Sequence, residues 1–291
     1  MALLFLNEFL NFNTYRTSSK MYVDINRGTD KLKVNIDIEI DHMPCDLLAI
    51  LTSDALGEKS IDIKGEMTKS RLDKNGKVLD ENKYEIKDVN YDKVKNEMYN
   101  DEGCKLKGYF YVDAVPGSFQ ISASYYGSII QRLANDRVLK LNSQHKINQI
   151  SFGEFKKNEI WINFGRAISK LSYGLSNIKK KNEKNARIHQ YYLKIVPTKF
   201  LTYSRKEINN YQYTYNYFAE FGTNEMPALY FRYDLSPITV EYKQYKETFL
   251  NFFINICAII GGVFTVTGII DAIIHKSVMI LLRKAEMNKI A

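Results

Sequence analysis

The sequence is poor in the residues from which most catalytic and metal sites are built. It has three cysteines and four histidines in 291 residues, and no two histidines have the spacing of metal ligands. Three cysteines are too few for a disulfide-dense small domain or a four-cysteine zinc site. The motifs GxSxG, HExxH, GxxxxGK(S/T) and GxGxxG are absent. We therefore expect no catalytic residue, no cofactor and no metal.

The chain also lacks a strong charge imbalance, and its composition is not that of a disordered protein. Lysine and arginine number 41 against 33 acidic residues, and the surplus of eight positive charges is spread along the chain. A nucleic-acid-binding stripe is therefore not predicted. Hydrophobic residues make up 45%, enough for a core and too many for a disordered chain. The mean hydropathy of −0.32 excludes a protein with many membrane spans.

One long apolar segment lies near the C-terminus. Residues 249–270 form a run of 22 residues without a charge or a histidine, bounded by Glu247 and Asp271. As a helix this run would measure about 33 Å, enough to cross a hydrocarbon layer of roughly 30 Å. A buried core helix is the alternative, but the segment is apolar on every face. We predict a transmembrane helix over 249–272, in contact with the lipid bilayer.

Small residues inside this span offer a surface for a second helix. Ala258 and Gly262 lie four residues apart, and Gly261 lies beside Gly262. This spacing lets two helix backbones approach closely, although glycine is also common in membrane helices without such a role. Residues 273–291 are predicted to be a cytosolic tail, because they carry a small excess of lysine and arginine over the other flank. The apolar part of that tail, 273–282, could lie at the interface or extend the helix.

The N-terminus is apolar but short. MALLFLNEFLNF would measure about 18 Å as a helix, too little to span a membrane. It also lacks the basic region and cleavage site of a signal peptide. We interpret 1–20 as the remnant of a truncated first transmembrane segment with its juxtamembrane residues.

Residues 21–248 are predicted to form one mainly β domain. KLKVNIDIEI (31–40) alternates strictly, which is typical of a half-buried strand. Asn75 and Gly76 predict a type I′ hairpin within 61–79. Further strands are predicted at 105–115, 118–124, 158–164, 190–200, 211–218, 228–234 and 236–245. The helical parts are 125–142 and 165–176, and the lysine-rich 177–187 is predicted to be an exposed loop. This pattern favours a β-sandwich.

Two groups of residues could suggest enzymatic chemistry. The alternation places Asp37, Glu39 and Asp41 on one face, where they could bind a cation or act as paired acids. A solvated polar face opposite the isoleucines is the favoured interpretation. His42 and Cys45 could suggest a cysteine nucleophile, but Pro44 between them favours a structural cysteine.

Cys45 and Cys104 are the two cysteines outside the predicted span. In an oxidising compartment they could form one intradomain disulfide, closing a loop of 59 residues. Two buried thiols are the alternative, and the bridge is favoured.

Four tyrosines alternate along YQYTYNYF: Tyr211, Tyr213, Tyr215 and Tyr217. They share one strand face, which could bind a partner because tyrosine is enriched at interfaces. The favoured alternative is that the rings fill the core.

Seven segments in a fixed order carry a family resemblance. They are VDINRGTDKLKVNIDIEIDHMPCDLL (23–48), SDALGE (53–58) with Lys69, Arg71 and Leu72, GCKLKGYFYVDAVPGSF (103–119), HKINQISFG (145–153), YYLKIVPTKF (191–200), PALYFRYDLSPITVEY (227–242) and FLNFFINICAIIGGVFTVTGIIDAII (249–274). Over roughly 20–275 the chain resembles the ER–Golgi intermediate compartment proteins, also called ER-vesicle proteins, which travel in COPII vesicles.

The resemblance implies two membrane spans around a large lumenal β-sandwich, with short cytosolic tails. It further implies a non-enzymatic cargo receptor that cycles between the ER, the intermediate compartment and the Golgi. Its lumenal domain would bind client proteins, its tail would engage vesicle coat proteins, and a second family member would complete a hetero-oligomer. Candidate residues for a sorting signal in the tail are Arg283, Lys284, Lys289 and Ile290, although no second lysine completes a dilysine motif.

Two other functions remain open. The chain could be a structural subunit that stabilises a partner membrane protein of the early secretory pathway. It could also be a membrane-tethered lumenal enzyme, for which Asp37, Glu39 and Asp41 are the visible acids.

Overall fold

A computed structural model describes residues 2–23, 31–54, 57–154, 157–180, 186–221 and 225–290. The chain divides into two compact units. The larger unit contains Ser19–Leu201 and Lys206–Tyr242, and the smaller unit contains Met1–Ser18, Thr202–Arg205 and Lys243–Ala291.

The described part of the chain is dominated by strands. In chain order they are β1 (Arg16–Val23), β2 (Lys31–Ile40), β3 (Ala49–Ser53), β4 (Lys59–Ser60), β5 (Lys64–Leu72), β6 (Val78–Lys83), β7 (Gly103–Asp113), β8 (Gly117–Ser122), β9 (His145–Phe152), β10 (Ser176–Lys180), β11 (Ala186–Leu201), β12 (Glu207–Phe221), β13 (Ala228–Leu235) and β14 (Ile238–Tyr245). The helices are α1 (Ala2–Asn13), α2 (Tyr91–Tyr99), α3 (Gly127–Asn135), α4 (Lys157–Phe164), α5 (Arg166–Leu171) and α6 (Phe249–Ile290).

The strands form two sheets. The first has the order β1-β14-β11-β13-β8-β3-β4, with β12 paired to β11 outside this path. The second has the order β10-β9-β2-β7-β5-β6. Most of the described strand pairs are antiparallel, but β11 and β13 run parallel. Parallel strands cannot be joined by a hairpin, and β12 lies between these two in sequence. The mainly β fold class with two sheets and a C-terminal apolar helix is therefore confirmed.

The core lies between the inner faces of the two sheets. Strand β2 places Leu32, Val34, Ile36, Ile38 and Ile40 in it, each at most 3% exposed. The opposite sheet contributes aromatic rings, and Phe119 and Tyr191 stack on either side of Phe231 at centroid distances of 4.8 and 5.0 Å. Alternation along β2 thus separates a core face from a polar face, in agreement with the sequence pattern.

The prediction of a strand over 158–164 is wrong, because this segment is helix α4. Ile160 and Phe164 lie four residues apart, which places them on one helical face, and both are buried in a cluster with Phe200 and Ile208. Ile162 between them is 74% exposed. The β-branched and aromatic residues suggest a strand, but the burial follows a period of four.

The hairpin after β5 is present, but its turn differs from the predicted type I′ geometry. Gly76 alone of the Asn75-Gly76 pair has a positive φ, at 80°. The amide of Gly76 donates to the Asp73 carbonyl, and the Asp73 carboxylate accepts from the amides of Asn75 and Lys77. Residues 73–76 thus form a β-turn that the Asp73 side chain stabilises. Gly76 adopts the left-handed conformation that is typical of a glycine bulge at the end of such a turn.

Three other predictions need correction. The predicted loop over 177–187 is wrong at both ends, because β10 extends to Lys180 and β11 begins at Ala186, and 181–185 lie outside the described residues. The two predicted helices are shorter, since 125–142 contains only α3 after a short turn at Ser124–Tyr126, and 165–176 contains α5. Helix α2 is missing from the prediction, although Asn90 caps it by accepting from the amides of Asp92 and Lys93.

The smaller unit contains α1 and the 42-residue α6. Its apolar part, Phe249–Leu282, is long and apolar enough to cross a membrane and has a mean hydropathy of 2.2 over its most apolar window. Helix α6 continues through 273–282, so this stretch extends the helix. The side chains of Arg283, Lys284, Lys289 and Ile290 lie outside the part of the chain that the structure describes.

Candidate functional site

Cys45 and Cys104 are joined by a disulfide, with their Cα atoms 4.9 Å apart. Cys104 lies near the start of β7, and Cys45 opens a short 3-10 turn that follows β2. Both residues are buried. The bridge fastens the turn onto the second sheet, and it removes Cys45 as a nucleophile. His42 instead lies with Nδ1 2.7 Å from Oδ1 of Asp101.

A charged cavity of about 490 Å³ opens beside this disulfide. It is lined by five basic and three acidic residues together with polar and apolar neighbours. The basic residues are Lys69, Arg71, Lys83, Lys87 and Lys93, and the acidic ones are Asp46, Glu85 and Asp88. The lining carries charges of both signs, whereas pockets for small ligands are typically apolar. Such a cavity is better suited to bind a polar segment of another protein.

Lys69 is the most deeply buried cation of the cavity, at 7% exposure. Its Nζ donates a 2.6 Å hydrogen bond to the Leu48 carbonyl and lies 4.6 Å from the centroid of the Tyr84 ring. Burial lowers the pKa of Lys69 to about 8, and burial raises the pKa of Tyr84 to about 12. A lysine held this way is fixed in place by one carbonyl and one ring.

Ion pairs hold two further basic residues of the cavity lining, Arg71 and Lys93. Arg71 contacts Glu97 at 3.1 Å and Glu102 at 2.8 Å, and Lys93 contacts Asp46 at 2.6 Å. Burial raises the pKa of Glu97. The hydrogen bond to Asp46 raises the pKa of Lys93. Arg71 and Lys93 of the cavity lining are therefore each held by carboxylates. Helix α2 supplies Lys93 and Glu97, and neither was predicted because the helix itself was not predicted.

The acidic residues Asp37 and Glu39 of β2 lie on a polar strand face and do not converge on a catalytic site. Asp37 and Glu39 both lie near Nζ of Lys105, at 3.3 and 3.1 Å, and Asn148 donates to both carboxylates. Partial burial would raise the pKa of Glu39, but hydrogen bonds from Asn148, Lys105 and Lys146 outweigh it and lower the pKa. Asp41 follows the end of β2 and does not share that strand face. Among the described residues no group of three His, Cys, Asp or Glu could hold a metal ion.

The tyrosine ladder of β12 is divided between core and surface. Tyr213 is 2% exposed and Tyr215 is 36% exposed. Tyr211 and Tyr217 are partly buried against the core. The core interpretation thus holds for most of these rings.

Two buried histidines meet between the sheets. Nε2 of His145 lies 2.6 Å from the Tyr191 hydroxyl, and Nδ1 of His189 lies 2.8 Å from the Tyr217 hydroxyl. The His145 and His189 rings are edge to face at 4.7 Å. Each ring is fixed by a tyrosine, which gives these histidines a structural role in the core.

In the smaller unit, polar and aromatic contacts join α1 to α6. Asn255 donates a 2.7 Å hydrogen bond to Glu8, and the rings of Phe12 and Phe252 lie 4.5 Å apart. The predicted packing residues Ala258, Gly261 and Gly262 lie further along α6. A Cβ atom added at Gly261 or Gly262 would meet no neighbour within 4 Å. Helix packing at these residues stays a prediction.

Comparison with known proteins adds to this geometry. Residues 73–271 match the family Endoplasmic reticulum vesicle transporter, and residues 1–61 match Endoplasmic Reticulum-Golgi Intermediate Compartment (ERGIC). Endoplasmic reticulum-Golgi intermediate compartment protein 1 of Xenopus laevis is 30% identical over 283 residues, which cover 95% of this chain and 83% of that protein. Probable endoplasmic reticulum-Golgi intermediate compartment protein 3 of Dictyostelium discoideum is 28% identical, and the aligned residues cover 98% of this chain and 89% of that protein.

A solved structure shares the fold. The crystal structure of Erv41p superposes with a TM-score of 0.53 and 21% identity, covering 77% of this chain and 99% of that one. The family resemblance seen in the sequence is confirmed by the two family matches and by these relatives. The chain belongs to the ER vesicle transporter and ERGIC family, and it is a vesicle-trafficking membrane protein of the ER, the intermediate compartment and the Golgi.

Proposed function

We propose that this protein is a cargo receptor that cycles between the ER and the Golgi in COPII and COPI vesicles. Its larger unit binds client proteins in the lumen, its α6 crosses the bilayer, and the tail after residue 272 engages vesicle coats. A second family member completes a hetero-oligomer. The role is binding and sorting rather than catalysis.

The Cys45–Cys104 disulfide is the observation that carries this proposal. A disulfide persists in an oxidising compartment such as the ER lumen and is rare in the cytosol. Together with the apolar helix Phe249–Leu282, it supports a lumenal domain tethered to the membrane. The charged cavity beside the disulfide is the proposed binding site for client proteins. Two of its basic side chains, Arg71 and Lys93, are held in ion pairs, an arrangement that suits binding rather than catalysis.

Protease protection of sealed microsomes tests the topology. A tag at each end of the chain reports which end is exposed. We expect the larger unit to be protected and the C-terminal tag to be removed. Digestion of the larger unit would place it in the cytosol and overturn the proposal.

A comparison of secreted and retained proteins with and without this chain tests the sorting role. We expect specific lumenal proteins to be mis-sorted in its absence. Loss of one partner membrane protein with all lumenal proteins sorted normally would favour the structural-subunit function instead.

Charge reversal at the cavity tests the client contact. Lys83→Glu with Lys87→Glu should reduce capture of those mis-sorted clients, because both lysines line the cavity. Lys74→Glu, in the turn of the same hairpin and outside the cavity, is the matched control. Equal capture by both variants would remove the cavity from the proposal.

A further inference from the structure

Strand β12 has one covered half and one open half. In the first half, Asn210 forms a bridge with Gly153, and the Tyr213 hydroxyl bonds to the Leu175 amide and the Ile150 carbonyl. From Thr214 to Phe221, the described residues provide β12 with one neighbouring strand, β11. The outward N–H and C=O groups of this stretch therefore form the edge of the sheet.

This edge lacks the protection that the other sheet edges carry. Natural proteins place lysine, proline or very short strands at edges to prevent pairing with other chains. Among the described edges, β1 contains Lys20, β6 contains Lys83, β10 ends at Lys180, and β4 has two residues, one of them Lys59. The stretch 214–221, TYNYFAEF, has no lysine and no proline, and its one charge is Glu220.

The open edge also carries exposed aromatic side chains, and contacts with β11 hold its side chains in place. Phe218 is 57% exposed and Phe221 is 52% exposed. The Phe218 ring packs edge to face on Tyr192 of β11 at 5.6 Å. Glu220 accepts a hydrogen bond from Gln190 of β11. A rigid aromatic edge of this kind suits a partner that is itself a strand.

The sequence of the edge is complementary to itself around Phe218. In an antiparallel pair, directly opposed residues share one face, so a twofold axis at a residue pairs positions of equal parity. An axis at Phe218 places Phe218 opposite Phe218, Asn216 opposite Glu220, and Tyr215 opposite Phe221 of the other copy. Aromatic pairs and an amide–carboxylate pair are favourable across strands, and no like charges meet.

We propose that two copies of this chain pair through β12, antiparallel and centred on Phe218, so that their first sheets become continuous. The contact is isologous and closes on itself, which limits the assembly to a pair instead of a filament. It is independent of the hetero-oligomer and client contacts proposed above.

Charge at position 216 provides a test with opposite expected outcomes. Asn216→Glu places two carboxylates opposite each other at both ends of the pair, whereas Asn216→Lys places an ammonium opposite Glu220. Asn216 and Glu220 are exposed, so neither change disturbs the core. In cells expressing two differently tagged full-length copies, we expect Asn216→Glu to reduce co-precipitation about tenfold. Asn216→Lys should retain it, and Glu220→Lys added to Asn216→Glu should restore it.

A cysteine crosslink tests the register. In a Cys257→Ser background, Phe218→Cys should form a disulfide between copies in the unreduced membrane, because opposed Cβ atoms lie within about 5.5 Å. Leu79→Cys on the edge strand β6 is the matched control, since Leu79 is 52% exposed. Equal co-precipitation of Asn216→Glu and Asn216→Lys would overturn the proposal. So would copies that do not associate at all, or a Phe218→Cys variant that crosslinks to a different chain instead of a second copy.

Discussion

The Tyr191 hydroxyl on β11 lies 2.6 Å from Nε2 of His145 on β9, a hydrogen bond that joins the two sheets inside the core. Tyr191 is fully buried, and burial raises the pKa of its hydroxyl. The neutral phenol is therefore the form that is present, and it can either donate to the histidine nitrogen or accept from it.

Tyr191→Phe should destabilise the fold without leaving a cavity. It removes the hydroxyl from a buried histidine nitrogen, which should lower the free energy of unfolding by about 1–3 kcal/mol. Chemical denaturation of the full chain in detergent measures this. Tyr192→Phe is the control, because Tyr192 is 39% exposed and its hydroxyl bonds to Gln190 at the surface. Equal effects of the two changes would contradict a structural role for the hydrogen bond between the sheets.

Replacing both bridged cysteines, Cys45→Ala with Cys104→Ala, should lower stability by about 4 kcal/mol. The estimate follows from the entropy of closing a loop of 59 residues in the unfolded chain. Thermal unfolding in detergent, with and without reductant, measures the loss. Alkylation of the unreduced, denatured protein should label Cys257 and no other cysteine; labelling of two further thiols would show that the bridge is absent in the cell.

Lys69 should make stability depend on pH in the alkaline range. Its pKa is about 8 in the folded chain against an ordinary 10.5. Below pH 8 both states hold the proton, and the buried charge lowers stability; between about 8 and 10.5 only the unfolded chain holds it, so stability rises with pH.

Lys69→Met removes this dependence. Between pH 7 and pH 10 the wild type should gain up to about 3 kcal/mol in free energy of unfolding that the Lys69→Met variant does not gain. Denaturant titrations at both pH values test this, with the exposed Lys83→Met as control. A difference between Lys69→Met and the wild type that stays constant with pH would be inconsistent with a deprotonated buried lysine.

Helix α4 predicts different effects at neighbouring isoleucines. Ile160→Ala removes a fully buried side chain and should cost about 2–5 kcal/mol, whereas Ile162→Ala should change stability by less than about 0.5 kcal/mol. In a strand, both side chains would face the same side and respond alike. Unfolding curves of the two variants distinguish the geometries, and similar losses would speak against the helix.

The features that follow local periodicity could be predicted from the sequence. The alternation from Leu32 to Ile40 identified both the strand and its buried face, and the charge-free run from Phe249 identified the apolar helix. In α4 the local pattern misled, because NEIWINF has strand-forming residues and its helical burial depends on Phe200 and Ile208, which are distant in sequence.

The candidate site needed the tertiary structure. The cavity brings together Asp46, Lys69 and Lys93 from three separate elements, and no spacing in the sequence indicates their approach. The order of strands was equally beyond reach, since β2 pairs with β7 across some 70 residues. The pairing of β11 with a parallel neighbour, β13, also has no local signal.

Helix α6 runs without interruption from Phe249 to Ile290, a length of about 63 Å and roughly twice the thickness of a hydrocarbon layer. No proline lies within it. Because the helical hydrogen bonds are continuous, the residues on either side of Asp271 keep a fixed angular relationship about the helix axis. The angular position of each terminal residue is set by its count from Phe249, and inserting one alanine after Asp271 would rotate everything beyond it by about 100°.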